Sequence, residues 1–225
     1  MNHPGKGESA RQGFIQAQAI TRKYASTFYF ASRFLAEDKR LAAYSAYAIC
    51  RISDESVDSA PAVRKSDHLM MIKRNIDSVY SGAELKDILS LGFKETVNKY
   101  NIPKQYFDQL LEDMGMDLNK RRYETFDELY AYCYKVAAVV RLIMLKIFGS
   151  DNPQAEKHAV ELGIAMQLTN ILRDIKKDFA GERIYLPQEE MKEYGVGESN
   201  IAEEKISEDF KALLKFQINR ARQYY

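Results

Sequence analysis

Four side chains with amide or carboxylate oxygens recur on one side of a predicted helix, and they are the first candidates for chemistry. They are Gln167, Asn170, Asp174 and Asp178, at spacings of i, i+3, i+7 and i+11. At about 100° per residue these offsets keep all four on one face of a helix. Mg²⁺ is commonly held by one or two carboxylates together with substrate phosphates. The face therefore predicts a site for a hard divalent cation.

The segment that carries this face has the pattern of a helix that packs on its other side. Apolar residues recur there at helical spacing with no glycine or proline between them, at Leu168, Ile171, Leu172 and Ile175. A solvated face would more typically mix lysine and glutamate. We predict a helix from about residue 155 to residue 179, ended by Gly181.

An earlier predicted helix carries a similar acidic pair. Asp54 and Asp58 are four residues apart, and Arg51 lies one turn before Asp54. Inward carboxylates on facing helices build the metal sites of helical bundles, and clustered carboxylates repel one another unless a cation lies between them. Taken alone, this pair favours an exposed polar face, because the D-x-x-x-D pattern is frequent by chance. The face on the later helix is harder to explain in that way.

Three stretches of the chain resemble the squalene/phytoene synthase family, and the phytoene/dehydrosqualene synthase branch is the most similar in sequence. They read YASTFYFASRFLAEDKRLAAYSAYAICRISDESVD (24–58), MDLNKRRYETFDELYAYCYKVA (116–137) and GIAMQLTNILRDIKKDFAGERIYLPQEEM (163–191). The resemblance implies an all-α, single-domain helical bundle of the isoprenoid synthase type with a central cavity. It would span residues 14–225 and lack the last C-terminal helical segment of the family. Residues 1–13 are polar, with Gly, Pro and Ser, and we expect them to be disordered.

The resemblance also implies a reaction. A prenyl diphosphate, farnesyl or geranylgeranyl, is bound and ionised with Mg²⁺ and then condensed head to head to a C30 or C40 isoprenoid of the phytoene, dehydrosqualene or squalene type. Mn²⁺ is the alternative ion, and no NADPH is expected, because no nucleotide-binding glycine loop is present. Two alternatives stay open: a prenyl-diphosphate phosphatase that releases a prenol such as farnesol, and a non-catalytic helical interaction protein.

Residue roles follow from the same resemblance. The implied metal ligands are Asp54, Asp58, Asp174, Asp178 and Asn170, and the implied catalytic residues are the four aspartates and Tyr132. The implied substrate-binding residues are Arg51, Gln167, Asn170, Arg173, Ser26, Phe28, Arg183 and Tyr185. For Tyr132 we weigh core packing equally with a place in the reaction cavity. The basic run 120–122 is interpreted either as a solvated turn or as a neighbour of a diphosphate.

The chain departs from the family's pattern at four places. Ser26 stands where relatives commonly carry lysine, so one phosphate-binding charge is missing there. Arg141 stands where relatives usually have glycine, and it could bind a phosphate, block the second prenyl chain or reach outward to solvent. Lys177 replaces an acidic residue but falls about 100° off the polar face, so we expect the metal ligands to survive. The chain also stops after FQINRARQYY (216–225), where the family continues.

Composition excludes some classes and leaves others open. With 33 basic and 32 acidic residues the net charge is +1, so we expect no nucleic-acid partner. Cys50 and Cys133 lie in apolar segments, as buried thiols of a reducing compartment do. No signal peptide or membrane span is visible, so we expect a cytoplasmic protein, with peripheral contact at a membrane surface left open for product release. The sequence indicates no oligomeric state.

Overall fold

The structure is a computed structural model that describes the backbone of residues 6–58, 64–85, 87–117 and 120–225. Side chains are described over the same ranges except at residues 6, 54, 56–58, 113, 114, 116 and 117. Within these ranges the chain is helical, and its only strand-like pairing is an isolated bridge between Arg122 and Ile184. The predicted all-α class is confirmed.

The described helices follow one another with short connections. They are α1 (Lys6–Tyr24), α2 (Ser26–Ala31), α3 (Glu37–Asp58), α4 (Lys65–Ser81), α5 (Ile88–Lys99), α6 (Lys104–Asp117), α7 (Phe126–Cys133), α8 (Val139–Phe148), α9 (Ala155–Ala180), α10 (Gln188–Glu193), α11 (Glu198–Ala202) and α12 (Glu208–Gln223). A π-helical turn (Tyr134–Ala138) joins α7 to α8. None of the described helices is both long and apolar enough to cross a membrane.

The contacts divide the chain into two compact units. Unit 1 consists of Met1–Gly115 and Ile143–Asp151, and unit 2 consists of Met116–Leu142 and Asn152–Tyr225. The prediction of a single domain over residues 14–225 stays a prediction.

Unit 1 is built on the packing of α1 against α5 and α3. The crossing of α1 and α5 is close because Gly13 meets Gly92, and a Cβ atom on Gly13 would lie 2.8 Å from the Gly92 nitrogen. The buried residues of α3 include the small Ala42, Ala43 and Ala46 and the large Tyr44. At its N-terminus Asp38 accepts hydrogen bonds from Lys99 and Tyr100, each at 3.0 Å.

The expected disorder of residues 1–13 is wrong for residues 6–13, which form the first turns of α1. Residues 1–5 lie outside the described part of the chain. The segment is ordered because Ala10 and Gly13 are buried, and Gly13 lies against α5. These small residues contribute close helix contact rather than large apolar side chains, so hydrophobic patterning did not reveal them.

Unit 2 is built around α9, which packs against the π-helical turn, α12, α7 and α11. Leu168 and Ile171 of α9 are buried in its core, as predicted from their spacing, and Ile164 is buried there as well. Gly163 allows α9 to approach the π-helical turn, because a Cβ atom there would lie 2.5 Å from the Cα of Ala138 and 2.7 Å from its nitrogen.

A buried ion pair ties the C-terminal helix α12 to α10. The Arg220 guanidinium donates to both carboxylate oxygens of Glu190, at 2.5 and 2.9 Å, and Gln217 donates to the same carboxylate. The guanidinium also lies over the Phe126 ring, 3.9 Å from its centroid, and over the Phe216 ring at 4.6 Å. Because both charged groups are largely buried, removing either would leave the other uncompensated.

The contact at Gly163 gives a prediction about stability. Gly163→Ala is expected to lower the free energy of unfolding by about 1–3 kcal/mol, because the added methyl group would overlap backbone atoms of Ala138 that cannot rotate away. Urea denaturation measures the change.

Gly7→Ala is the matched control. Gly7 also lies in a helix, α1, and a Cβ atom there would meet nothing within 4 Å. The control should be neutral or more stable by up to about 1 kcal/mol, because alanine favours a helix over glycine. A neutral Gly163→Ala would contradict the close packing of α9.

Candidate active site

The polar face predicted on α9 is present in the structure. Gln167, Asn170, Asp174 and Asp178 are all half-buried, and the helix is regular from Ala155 to Ala180. Lys177 is exposed, in agreement with its predicted position off this face. The helical register alone therefore holds two carboxylates one turn apart beside two amides.

Asp174 is held by its own neighbour. Arg173 donates from Nε to Oδ1 of Asp174 at 2.8 Å and from Nη2 to Oδ2 at 2.6 Å. These hydrogen bonds lower the pKa of Asp174, so the carboxylate is ionised at neutral pH. The Arg173 side chain is 65% exposed, and an exposed ion pair of this kind adds only about 0–1 kcal/mol. A ligand can therefore displace the guanidinium at little cost.

Asp178 lies in a different electrostatic environment. Burial raises its pKa, and the negative charge of Asp174 raises it further, whereas Lys177, Arg183 and Arg173 oppose the shift. Two acidic side chains at this spacing are the arrangement that a divalent cation relieves. The donor set thus fits a hard metal ion.

The segment after α9 turns back and brings a positive charge to Asp178. The backbone oxygen of Asp178 accepts hydrogen bonds from the nitrogens of Gly181 and Arg183, at 3.0 and 2.9 Å. A small cavity beside this turn is lined by Asp178, Arg183 and Tyr185, together with apolar residues of unit 2. Arg183 and Tyr185, both predicted from the sequence, are thus gathered at the end of α9.

Three tyrosine rings hold this turn against the core of unit 2. The rings of Tyr132 and Tyr185 stack with centroids 5.1 Å apart, and their hydroxyl oxygens are 3.3 Å apart. The Tyr123 ring stacks on Tyr185 at 5.6 Å and contacts Tyr132 at 5.3 Å. Tyr132 is 6% exposed, so it is a core residue, and its catalytic role stays a prediction.

Tyr123 was missed from the sequence, because charged residues flank it on both sides. Backbone pairing explains its place: the nitrogen of Ile184 donates to the oxygen of Arg121, and the nitrogen of Gln188 donates to the oxygen of Tyr123, at 3.0 and 2.9 Å. These two hydrogen bonds align the segment before α7 with the segment after α9, which brings Tyr123 against Tyr185.

The basic run 120–122 has acidic partners within unit 2. Lys120 pairs with Glu128 at 2.9 Å, and Arg121 pairs with Glu182. Arg122 donates to both carboxylate oxygens of Glu198, at 2.7 and 2.9 Å. Of the two interpretations of this run, these ion pairs favour a structural role on the surface over contact with a diphosphate.

Predicted site residues of unit 1 surround the start of α2 and the end of α3. Arg51 donates to Glu55 at 3.1 Å, and its guanidinium lies over the Tyr24 ring, 4.8 Å from the centroid. Its Nε is buried and has no hydrogen-bond partner in the part of the chain that the structure describes. Ser26 is exposed, and the half-buried Phe28 contacts the Tyr47 ring at 5.7 Å.

Asp54 and Asp58 lie on α3, but their side chains are outside the described residues. Their meeting with the acidic pair of α9 therefore stays a prediction. Among the side chains that are described, no three acidic, histidine or cysteine residues gather into a metal site. Asp174 and Asp178 supply two ligands of the predicted set.

Comparison with known proteins identifies the family. Residues 21–225 match the family described as squalene/phytoene synthase. The 15-cis-phytoene synthase of Synechococcus elongatus is 34% identical over 230 residues, which cover 96% of this chain and 74% of the relative. The chain belongs to the squalene/phytoene synthase family.

Another relative and two solved structures agree with this assignment. Phytoene synthase 3 of Zea mays is 34% identical over 222 residues, covering 96% of this chain but 52% of the relative. A dehydrosqualene synthase solved with a ligand has a TM-score of 0.89 at 28% identity, covering 98% of this chain and 77% of that one. The squalene synthase HpnC of Alicyclobacillus acidocaldarius also has a TM-score of 0.89, at 25% identity, covering 96% and 81%.

Membership of the squalene/phytoene synthase family confirms three predictions. The family itself, the helical isoprenoid synthase fold and the enzyme class are as expected, and the chain is a prenyltransferase of the type that condenses prenyl diphosphates head to head. The individual site residues stay predictions.

The raised pKa of Asp178 gives a prediction about pH. In EDTA, Asp178→Asn is expected to be more stable than the unchanged protein at neutral pH. A carboxyl group whose pKa is raised on folding stabilises the protein fully below its ordinary pKa of 3.8, and this contribution is lost as the pH rises through the raised value. The difference in melting temperature should therefore be largest near neutral pH and vanish below 3.8.

Asp209→Asn is the matched control, because Asp209 is an exposed carboxylate in the first turn of α12. It should change the free energy of unfolding by no more than about 0.5 kcal/mol at neutral pH. If Asp178→Asn is only as stable as the unchanged protein at neutral pH in EDTA, or less stable, then burial and repulsion do not destabilise the ionised carboxylate of Asp178.

Proposed function

We propose that the protein condenses two molecules of geranylgeranyl diphosphate head to head to phytoene. The reaction uses a divalent metal ion, with Mg²⁺ as the expected ion and Mn²⁺ as the alternative. The phytoene synthases among the relatives support this product over the C30 alternatives. The observation that carries the proposal is the acidic pair on α9, flanked by cationic side chains that can meet a diphosphate.

The metal ligands in this proposal are those implied by the sequence. Asp174 and Asp178 offer carboxylate oxygens on one face of α9, and Asn170 adds an amide oxygen one turn earlier. Asp54 and Asp58 of α3 complete the proposed set. When bound, the ion screens the charge of the diphosphate and stabilises it as a leaving group.

Arg173 is proposed to change partners when substrate arrives. In the structure its guanidinium occupies both oxygens of Asp174. With a cation bound at those oxygens, the guanidinium would be free to turn to a diphosphate, and its planar fork could donate two hydrogen bonds to phosphate oxygens. Arg183 supplies a second positive charge near Asp178. Both arginines would stabilise the charge that develops as the carbon–oxygen bond breaks.

Tyr132 and Tyr185 are proposed to position this machinery. Their stacked rings and linked hydroxyls fix the turn that carries Arg183. A small shift of a charged group near the reacting atoms is costly in rate, so a rigid support has catalytic value. The allylic cation must also be kept from water, or it is quenched to an alcohol.

A phosphatase remains the second candidate, because the chain carries the half-buried Arg141 at a position where the resemblance to the family implies glycine. If its side chain obstructs the second prenyl chain, ionisation is followed by attack of water and a prenol results. Release of a hydrocarbon product to a membrane surface belongs to the first proposal only.

The product assay separates these functions. The purified protein is incubated with geranylgeranyl or farnesyl diphosphate and Mg²⁺, and the extract is analysed by mass spectrometry. We expect phytoene from geranylgeranyl diphosphate. A prenol with released diphosphate or phosphate would favour the phosphatase, and no turnover of either substrate would overturn both enzymatic proposals.

Asp174→Asn is expected to lower turnover by about 100-fold or more, because the metal loses a charged ligand. Asp209→Asn, the same change on an exposed carboxylate of α12, should retain full turnover. Circular dichroism checks that both variants keep their helices. Normal turnover in Asp174→Asn would remove this residue from the metal site.

A further inference from the structure

Arg141 is a half-buried arginine without an acidic partner in the described part of the chain. It lies on α8, and its recorded contact is a weak one, from Nη2 to the sulfur of Met166 at 3.0 Å. Burial lowers its pKa, and no acidic group contributes to the shift in either direction. The side chain still remains protonated at neutral pH, because arginine does not lose its proton in proteins.

Three other arginines with restricted exposure have acidic partners. Arg220 is paired with Glu190 and lies between two phenylalanine rings. Arg122 donates to both oxygens of Glu198, and Arg51 pairs with Glu55. Burying a guanidinium without an anion is unfavourable. A bound anion would therefore stabilise Arg141, which lacks such a partner in the described part of the chain.

Arg141 lies beside the polar face of α9. Ala138 meets Gly163 where the two elements cross, and Arg141 and Met166 each lie three residues further along their helices. Met166 directly precedes Gln167 and is about 100° away from it around the helix, so the contact lies next to the polar face rather than on it. Met166 is 37% exposed, so its contact with the arginine is open to solvent on one side. A ligand bound beside the polar face can therefore reach the guanidinium.

We propose that Arg141 is a binding site for a diphosphate group that does not depend on the metal. The proposal rests on the proposed function, which supplies the ligand class. A guanidinium presents two parallel N–H donors that match two phosphate oxygens, and a thioether offers no competition for them. The site adds a second point of attachment for a diphosphate, beside the proposed metal ligands of α9.

Two sources can supply the same chemistry. The diphosphate is either part of an intact prenyl diphosphate or the inorganic diphosphate that is released. In the first case Arg141 orients a substrate, and in the second it retains the product anion. Binding measurements with each ligand distinguish the two.

Calorimetric titration in EDTA tests the proposal, because binding through the aspartates requires a metal ion. Inorganic diphosphate is titrated into the full chain and into Arg141→Gln and Arg222→Gln. Arg222 is an exposed arginine of α12 and serves as the matched control. We expect Arg141→Gln to weaken binding by about 10-fold, the effect of losing a charged hydrogen-bond donor, and Arg222→Gln to leave it unchanged.

A second titration uses geranylgeranyl thiodiphosphate, which resists ionisation. A 10-fold loss with this analogue alone supports binding of the intact substrate, and a loss with inorganic diphosphate supports retention of the released anion. Equal affinities of Arg141→Gln and the unchanged protein for both ligands would overturn the proposal. An equal loss in Arg222→Gln would overturn it as well, because the effect would then be one of net charge.

Arg141→Lys tests whether weaker binding by Arg141→Gln results from unfolding rather than from loss of the guanidinium. Lysine retains the charge without the planar fork, so its affinity should fall between those of the unchanged protein and the glutamine variant. Far-UV circular dichroism confirms that each variant is helical. The product assay separates this proposal from the enzymatic one. If Arg141→Gln weakens diphosphate binding but the unchanged protein forms no hydrocarbon product, the binding site is supported and the proposed reaction is wrong.

Discussion

Two carboxylates one helical turn apart on α9 repel each other, and this repulsion organises the charges around them. Asp174 is satisfied by Arg173, which forms two hydrogen bonds with it and lowers its pKa. Asp178 has no such partner among the residues that the structure describes, and burial together with the neighbouring carboxylate raises its pKa. Burial and repulsion thus leave unfavourable energy on this face that a divalent cation and a diphosphate can relieve.

Aromatic stacking and backbone hydrogen bonds provide most of the support for the polar face of α9. Pairing of the segments before α7 and after α9 brings Tyr123 against Tyr185, and Tyr132 completes the stack. The turn after α9 is fixed by hydrogen bonds to the backbone oxygen of Asp178. Gly163 allows α9 to lie directly on the π-helical turn that follows α7. Such π-helical insertions are frequent at functional sites, because they shift the side chains that follow them out of the ordinary helical register.

Periodicity predicted α9 and its polar face well, because 26 residues of regular helix carry a clear pattern. It did not predict the order of residues 6–13, where the packing relies on Ala10 and Gly13 rather than on large apolar residues. Nor did it identify Tyr123, whose burial follows from backbone pairing with a segment some 60 residues away. The interpretation of the basic run 120–122 stayed open in the sequence because the acidic partners of Arg121 and Arg122, Glu182 and Glu198, are distant along the chain.

Lys177 shows how a departure from a family's pattern can be compatible with its chemistry. It stands where the resemblance implies an acidic residue, and it lies off the polar face of α9. Its positive charge helps to lower the pKa of Asp174 and opposes the rise in the pKa of Asp178. An acidic side chain at this position would instead add to the repulsion on α9. Lys177, Arg173 and Arg183 thus offset part of the negative charge of the two carboxylates at the end of α9. A surface of mixed charge repels an anion less than a purely acidic one would.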